Sequence, residues 1–149
     1  MKIKEIPGAT PLDEEAIAAL IPGLTTKAEL NEFEAANIAR ALLWATTNRK
    51  LKSDLLSASG LKLLHRKMFE DTWQWAGEFR TRQTNIGVAP QKIQNDLAVL
   101  LGDIQFWLKH QTFSVEEIAV RFHHRLVWIH PFTNGNGRFS RLATDLFLS

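Results

Sequence analysis

His130-Pro131-Phe132-Thr133-Asn134-Gly135-Asn136-Gly137-Arg138, followed by Arg141, decides how this 149-residue chain is read. Pro131 disfavours helical backbone at the residue before it, so the amphipathic stretch leading in ends at His130 and leaves the imidazole at a helix terminus facing a loop. Gly135 and Gly137 can take positive φ and lack a Cβ. Backbone N–H groups around Asn136 can therefore turn toward an anion at the point where a new helix starts. Arg138 stands in the first turn of that helix, and Arg141 shares its face. Two cations there oppose each other and the positive end of the helix dipole, and a bound polyphosphate turns each repulsion into an attraction. The competing reading is a plain Asn-Gly-Asn-Gly turn followed by a solvated basic face. The His-Pro-Phe before it and the Arg-x-x-Arg after it favour a phosphate site.

Outward from this segment the pattern is helical. Ser114-Val115-Glu116-Glu117 reads as a capping box, with Phe113 stapled to Ile118, and opens a helix whose Ile118, Phe122, Leu126 and Ile129 face inward and deliver His130. A second helix spans about Gln91 to Lys109, with Ile93, Leu97, Leu100, Ile104, Trp107 and Leu108 on one stripe. A third runs from about Ser57 to Phe69 over Leu61, Leu64 and Met68, and a fourth from Thr26 to Thr47 over Leu30, Phe33, Ile38, Ala41, Leu42 and Ala45. Thr10-Pro11-Leu12-Asp13 reads as a helix start with proline at the first helical position, and Pro22-Gly23 as its stop. Between Trp73 and Pro90 the texture changes. Phe79-Arg80-Thr81-Arg82-Gln83-Thr84-Asn85-Ile86 reads as a small β-hairpin or an extended loop. The five tryptophans read as core, and His65, His110, His123 and His124 fall in no metal-ligand pattern and are given no chemistry.

Composition fits one globular domain, with 45% hydrophobic and 23% charged residues. A formal charge of +2 without a basic run does not imply nucleic-acid binding. With no cysteine there is no disulfide framework or thiolate metal site, which suits a reducing cytoplasm. No apolar leader follows Met1, and no stretch is long and apolar enough to span a membrane, so a soluble cytoplasmic protein is expected.

The central segment resembles the motif of the Fic family, in the Fic/Doc (Fido) superfamily, which runs His-Pro-Phe-x-Asp/Glu-Gly-Asn-Gly-Arg, commonly with a second arginine three residues on. The likeness extends to Phe122-His123-His124-Arg125-Leu126-Val127-Trp128-Ile129, to Trp75-Ala76-Gly77-Glu78-Phe79-Arg80, and to Leu30-Asn31-Glu32-Phe33-Glu34-Ala35-Ala36-Asn37-Ile38. Together these are most similar to the subgroup called mobile mystery protein B. The resemblance implies an all-α helical bundle with a small β-hairpin flap, and transfer of AMP from ATP to a Ser, Thr or Tyr hydroxyl of a target protein. His130 would take the hydroxyl proton. Gly135, Asn136 and Gly137 would cradle the phosphates, Arg138 would neutralise the β and γ groups, and Arg141 would meet the γ-phosphate or an inhibitory carboxylate. Phe132 would pin the loop into the core. The flap residues Thr84, Asn85, Ile86, Gly87 and Val88 would hold the target by adding a strand.

The sequence departs from the family pattern in two places. Asn134 stands where the family has Asp or Glu holding Mg²⁺, and a neutral carboxamide is a weak Mg²⁺ ligand. The chain also stops about three helical turns after Arg138. It therefore reads as a single domain at 1–149, with an N-terminal segment at 1–24 and a core at 25–149 truncated after the motif helix. Its apolar end would be covered by self-association or by a regulatory partner protein. Thr25 to Asn31 partly resembles an inhibitory Ser/Thr-x-x-x-Glu motif with Glu29 as the brake, although Thr26-x-x-Glu29 is also a capping box, the reading favoured here. Two alternatives to adenylyl transfer remain. One is transfer from another phosphate-bearing donor, as in a Doc-like phosphotransferase, against which Gly137 argues. The other is a non-catalytic binding or regulatory module.

Overall fold

The computed structural model describes residues 12–149. Helix α1 is Glu14–Ala18, α2 Lys27–Thr47, α3 Arg49–Asp54, α4 Ala58–Phe69, α5 Ile93–His110, α6 Val115–Ile129 and α7 Asn136–Leu148, with a 3₁₀ turn at Pro90–Lys92 before α5. Three of the long helices, α2, α4 and α6, start where a side chain replaces a missing backbone partner. Thr26 accepts from the Glu29 N–H and Glu29 bonds back to the cap, a complete capping box at α2. Ser57 accepts from the Gly60 N–H at the start of α4, and Ser114 from the Glu117 N–H at the start of α6. The Glu117 carboxylate pairs with Arg121 instead of completing a box.

The core lies where α4, α5, α6 and α7 meet. Leu64, Met68, Phe69, Leu100, Ile104, Phe122, Leu126, Phe132, Phe139 and Ala143 are fully enclosed there. α6 packs against α5 and α7, while α4 packs against α2, α5 and α7. The loop between α6 and α7 therefore sits on α4, and this arrangement positions the site.

Several elements differ from the sequence reading. α1 begins at Glu14 with Asp13 as its cap, its carboxylate accepting from the Ala16 N–H. Thr10 and Pro11, the expected start, lie outside the described residues. Asn48 ends α2 and, by accepting from the Leu51 N–H, starts the unexpected α3. The buried stripe of α2 is Leu30, Glu34, Asn37, Ala41 and Ala45, whereas Leu42 is exposed. Two polar side chains sit on the inner face, so apolar periodicity alone placed the stripe about one residue off. Leu108 is also exposed, and Trp128 is 66% exposed on α6, so not all tryptophans are core.

Residues 80–88 form no β-ladder. The bridges among the described residues join Phe79 to Phe132 and Leu20 to Trp73. The flap is thus an extended loop, because one buried arginine takes its carbonyls, as described below. The segment around α1 is fastened to the same region. Ile21 N–H bonds to Thr72 O at 2.8 Å, Gln74 N–H to Ala19 O at 2.9 Å, and Arg82 pairs with Asp13 and Glu15. No helix among the described residues is long and apolar enough to cross a membrane.

Candidate active site

α6 ends at Ile129, and His130 caps it with φ 54° and ψ 62°. This is left-handed backbone, neither helical nor the extended geometry that a residue before proline prefers, and it persists only where the surroundings over-determine it. The His130 N–H bonds to Leu126 O at 3.0 Å. Its carbonyl accepts from Arg80 Nε at 2.6 Å. The imidazole is 6% exposed. Burial pushes its pKa below the usual histidine value, a hydrogen bond with the Val127 backbone opposes that, and the Arg80 charge adds to the lowering. The ring is therefore neutral at pH 7 and able to accept a proton.

The loop that follows is built on α4. Phe132 is fully enclosed and stacks on the His65 ring at 3.7 Å and 12°. His65 Nδ1 accepts the Gly77 N–H at 2.9 Å, which places the ring proton on Nε2, 3.0 Å from the Asn134 carbonyl. Complete burial pushes the His65 pKa down to about 3, so the ring is a neutral bridge between the Gly77 turn and the loop. Asn136 turns its side chain inward, accepting from Phe132 N–H at 2.9 Å and donating to Phe132 O at 2.8 Å. It shapes the loop with its amide and leaves only its backbone for an anion.

Gly135 takes φ 76°, and a Cβ there would stand 2.4 Å from the Phe69 ring. Gly137 differs from the sequence expectation. It lies within α7 without positive φ, and a Cβ would meet nothing within 4 Å. Its use is openness, since Gly137 is exposed where Gly135 and Asn136 before it are buried. No side chain caps that helix, and its first internal bond runs from Phe139 N–H to Gly135 O at 2.9 Å. The N–H groups ahead of it form an anion-seeking end.

The two arginines have different surroundings. Arg138 donates to Glu34 on α2 at 2.5 Å and lies over the Phe69 ring at 5.0 Å. Glu34 is buried and takes its second bond from Trp73 Nε1 at 2.8 Å. A carboxylate within the protein thus relieves the repulsion that the sequence alone leaves at Arg138. Arg141 is exposed and has no ion pair among the described residues. Both arginines line a groove of about 430 Å³ with Ile38, Leu42 and Leu142. Glu29 is committed to its capping box, accepting from the Thr25 and Thr26 N–H groups at 2.9 and 3.2 Å.

Asn134 accepts the Gly135 N–H on its side-chain oxygen at 2.8 Å. No group of three or more acidic or histidine side chains that could hold a metal occurs among the described residues. The donor set fits Mg²⁺ poorly, being one neutral oxygen already in use.

Above His130 lies the flap. Gly87 has φ 112°, and a Cβ there would stand 2.6 Å from both the His130 Cβ and the Arg80 guanidinium. Sequence reasoning missed Glu34, His65 and Arg80. Glu34 and Arg80 were legible only as parts of quoted stretches, and His65 only as a histidine on an apolar helix face.

The family model described as the Fic/DOC family matches residues 55–148. The chain is 34% identical over 102 residues to the protein adenylyltransferase Fic of Culex quinquefasciatus, covering 65% of this chain and 20% of that one. It is 32% identical over 125 residues to its namesake in Drosophila virilis, covering 80% and 25%. The chain thus spans a quarter or less of these relatives' length. The N-terminal Fic domain of a VirB-translocated Bep effector from Bartonella quintana, solved with bound ADP, shares the fold. The TM-score is 0.70 at 22% identity, covering 86% of this chain and 69% of that one. BepC from Bartonella tribocorum, solved with bound AMPPNP, gives 0.69 at 19% identity, covering 91% and 78%. With the motif on its expected loop and the fold shared, this chain belongs to the Fic/DOC family.

Proposed function

We propose that the chain is the adenylyl-transferring unit of a Fic-type protein adenylyltransferase, with ATP as donor and a target-protein hydroxyl as acceptor. One observation carries the reading: a buried, neutral His130 at the end of α6 is joined to the uncapped start of α7 by a short loop clamped from beneath. That arrangement pairs a proton acceptor with an oxyanion-stabilising helix end. The relatives named for this activity, and the nucleotide-bound fold neighbours, support it.

In the proposed step the acceptor oxygen attacks the α-phosphorus and its proton passes to the His130 imidazole. The α–β bridging bond breaks, and pyrophosphate leaves with the electron pair. Backbone N–H groups at the start of α7 meet the phosphate oxygens, and Gly137 keeps that approach open. Arg141 receives the distal phosphates, and Arg138 joins them by exchanging Glu34 for phosphate. Glu34, rather than Glu29, is thus the carboxylate with which the nucleotide competes. No step is assigned to Mg²⁺, for which Asn134 is a poor ligand. The flap from Thr84 to Val88 receives the target backbone.

Incubation of the protein with cell lysate and ATP labelled at the α- or the γ-phosphate tests this. Label transferred only from the α position supports adenylyl transfer. Label from the γ position indicates phosphoryl transfer, and no label from either position indicates a binding module.

A further inference from the structure

We infer that Arg80 is the positioning residue that ties the flap to the proton acceptor, so that target docking and the placement of His130 are one mechanical event. Arg80 is only 4% exposed and has no carboxylate partner among the described residues, an unusual state for a guanidinium. Backbone carbonyls take the place of that partner. Nε donates to His130 O at 2.6 Å and one terminal nitrogen to Ile129 O at 3.1 Å, the final carbonyls of α6. That same nitrogen donates to Val88 O, and the other to Arg82 O at 3.1 Å, the two ends of the flap. The Arg80 N–H itself bonds to Pro131 O at 2.9 Å.

The planar fork explains why arginine stands here. Its donors point in fixed directions and reach carbonyls on opposite sides of the side chain, which a single ammonium cannot do. The carbonyls on the α6 side lie at the negative end of the helix, so the charge is stabilised there without an anion. The left-handed backbone of His130 is held by its carbonyl bond to Arg80, and Gly87 packs against both residues with no room for a Cβ. Movement of the flap is therefore transmitted to the His130 backbone chiefly through this side chain, beside the Gly87 contact and the Val88 N–H bond to Ile129 O at 3.4 Å. A target strand on the flap completes the clamp.

The kinetic half of the inference rests on the adenylyl-transfer reading, whereas the mechanical half does not. The test compares the full chain with Arg80→Lys and Arg80→Gln by amide hydrogen exchange, and measures transfer of α-labelled AMP with the same proteins. Arg80→Lys is expected to raise exchange at the flap's Val88 N–H and at the His130 N–H, which bond to Ile129 O and Leu126 O, at least about tenfold while the α4 and α5 core is unchanged. It is also expected to lower kcat with little change in KM for ATP. Should Arg80→Gln unfold the chain, Gly87→Ala, which wedges the same contact, is expected to reproduce the flap signature. Wild-type flap exchange in Arg80→Lys and in Gly87→Ala overturns the inference. A looser flap in proteins that transfer no label, wild type included, upholds the coupling and defeats only the adenylyl reading.

Discussion

The loop beneath His130 and the flap above it are fastened in opposite ways. The loop is held by several independent devices: Asn136 on the Phe132 backbone, His65 on the Asn134 carbonyl, Phe132 in the core and Gly135 on the Phe69 ring. The flap is held to the rest of the site mainly through one guanidinium and the Val88 N–H bond to Ile129 O at 3.4 Å. Redundant fastening makes the loop and the start of α7 rigid before any substrate arrives, the preorganisation that electrostatic catalysis requires. Fastening through one side chain leaves the flap free to answer a partner.

The largest expected effect lies where the two regions meet, at His130. His130→Ala is expected to lower AMP transfer by roughly two to four orders of magnitude, the usual worth of a positioned proton acceptor, with ATP binding retained. Transfer rates and calorimetric titration with ATP read the two quantities separately.

The next effect concerns the support under the loop. His65 is neutral in the fold, with a pKa of about 3 against 6.5 when unfolded. Between those values the unfolded chain binds the extra proton, so stability rises with pH through that window and is flat above it. The loss on acidification approaches on the order of 5 kcal/mol at its lower end. Denaturation midpoints between pH 7 and pH 4 are expected to fall steeply for the wild type and less steeply for His65→Gln.

The glycines sharpen the comparison. Gly135→Ala forces a Cβ against Phe69 in left-handed backbone and is expected to cost about 2–3 kcal/mol in urea unfolding. Gly137→Ala is helical and unobstructed, and is expected to stabilise by up to about 1 kcal/mol. Its methyl nevertheless stands at the anion end, so ATP affinity should fall. Equal stability changes at the two positions would contradict the division of labour between them.

A smaller effect attaches to the arginines. Glu34→Gln keeps an acceptor for Trp73 but releases Arg138. A half-exposed pair of this kind is worth up to about 1 kcal/mol, so ATP is expected to bind up to about fivefold more tightly by titration. Unchanged affinity would mean that Arg138 does not meet the nucleotide.

Much of this was legible in the sequence. The caps at Thr26, Ser57 and Ser114 and the break at His130-Pro131 mark boundaries by local chemistry, and the family motif marks the loop. Whatever depends on long-range partners was not legible. Glu34 and Asn37 sit on the inner face of α2 because Trp73, Arg138 and the 67–72 segment, all far along the chain, meet them there. His65 reads as an ordinary core histidine until Asn134 and Gly77 approach it from far along the chain. The Thr-rich stretch at 79–86 reads as a small β-hairpin or an extended loop, and it is a loop in which Arg80 takes the carbonyls of Arg82 and Val88. The tension at Arg138 was a sound signal of a charged partner, and the partner within the protein is Glu34.

The pH dependence of AMP transfer under saturating ATP tests the central claim most directly. If a buried, neutral His130 accepts the hydroxyl proton, the rate rises with an apparent pKa below 6.5, is level through neutral pH, and disappears in His130→Ala. A rate that falls as pH rises through 6.5, or one that survives the loss of the imidazole, would contradict the account.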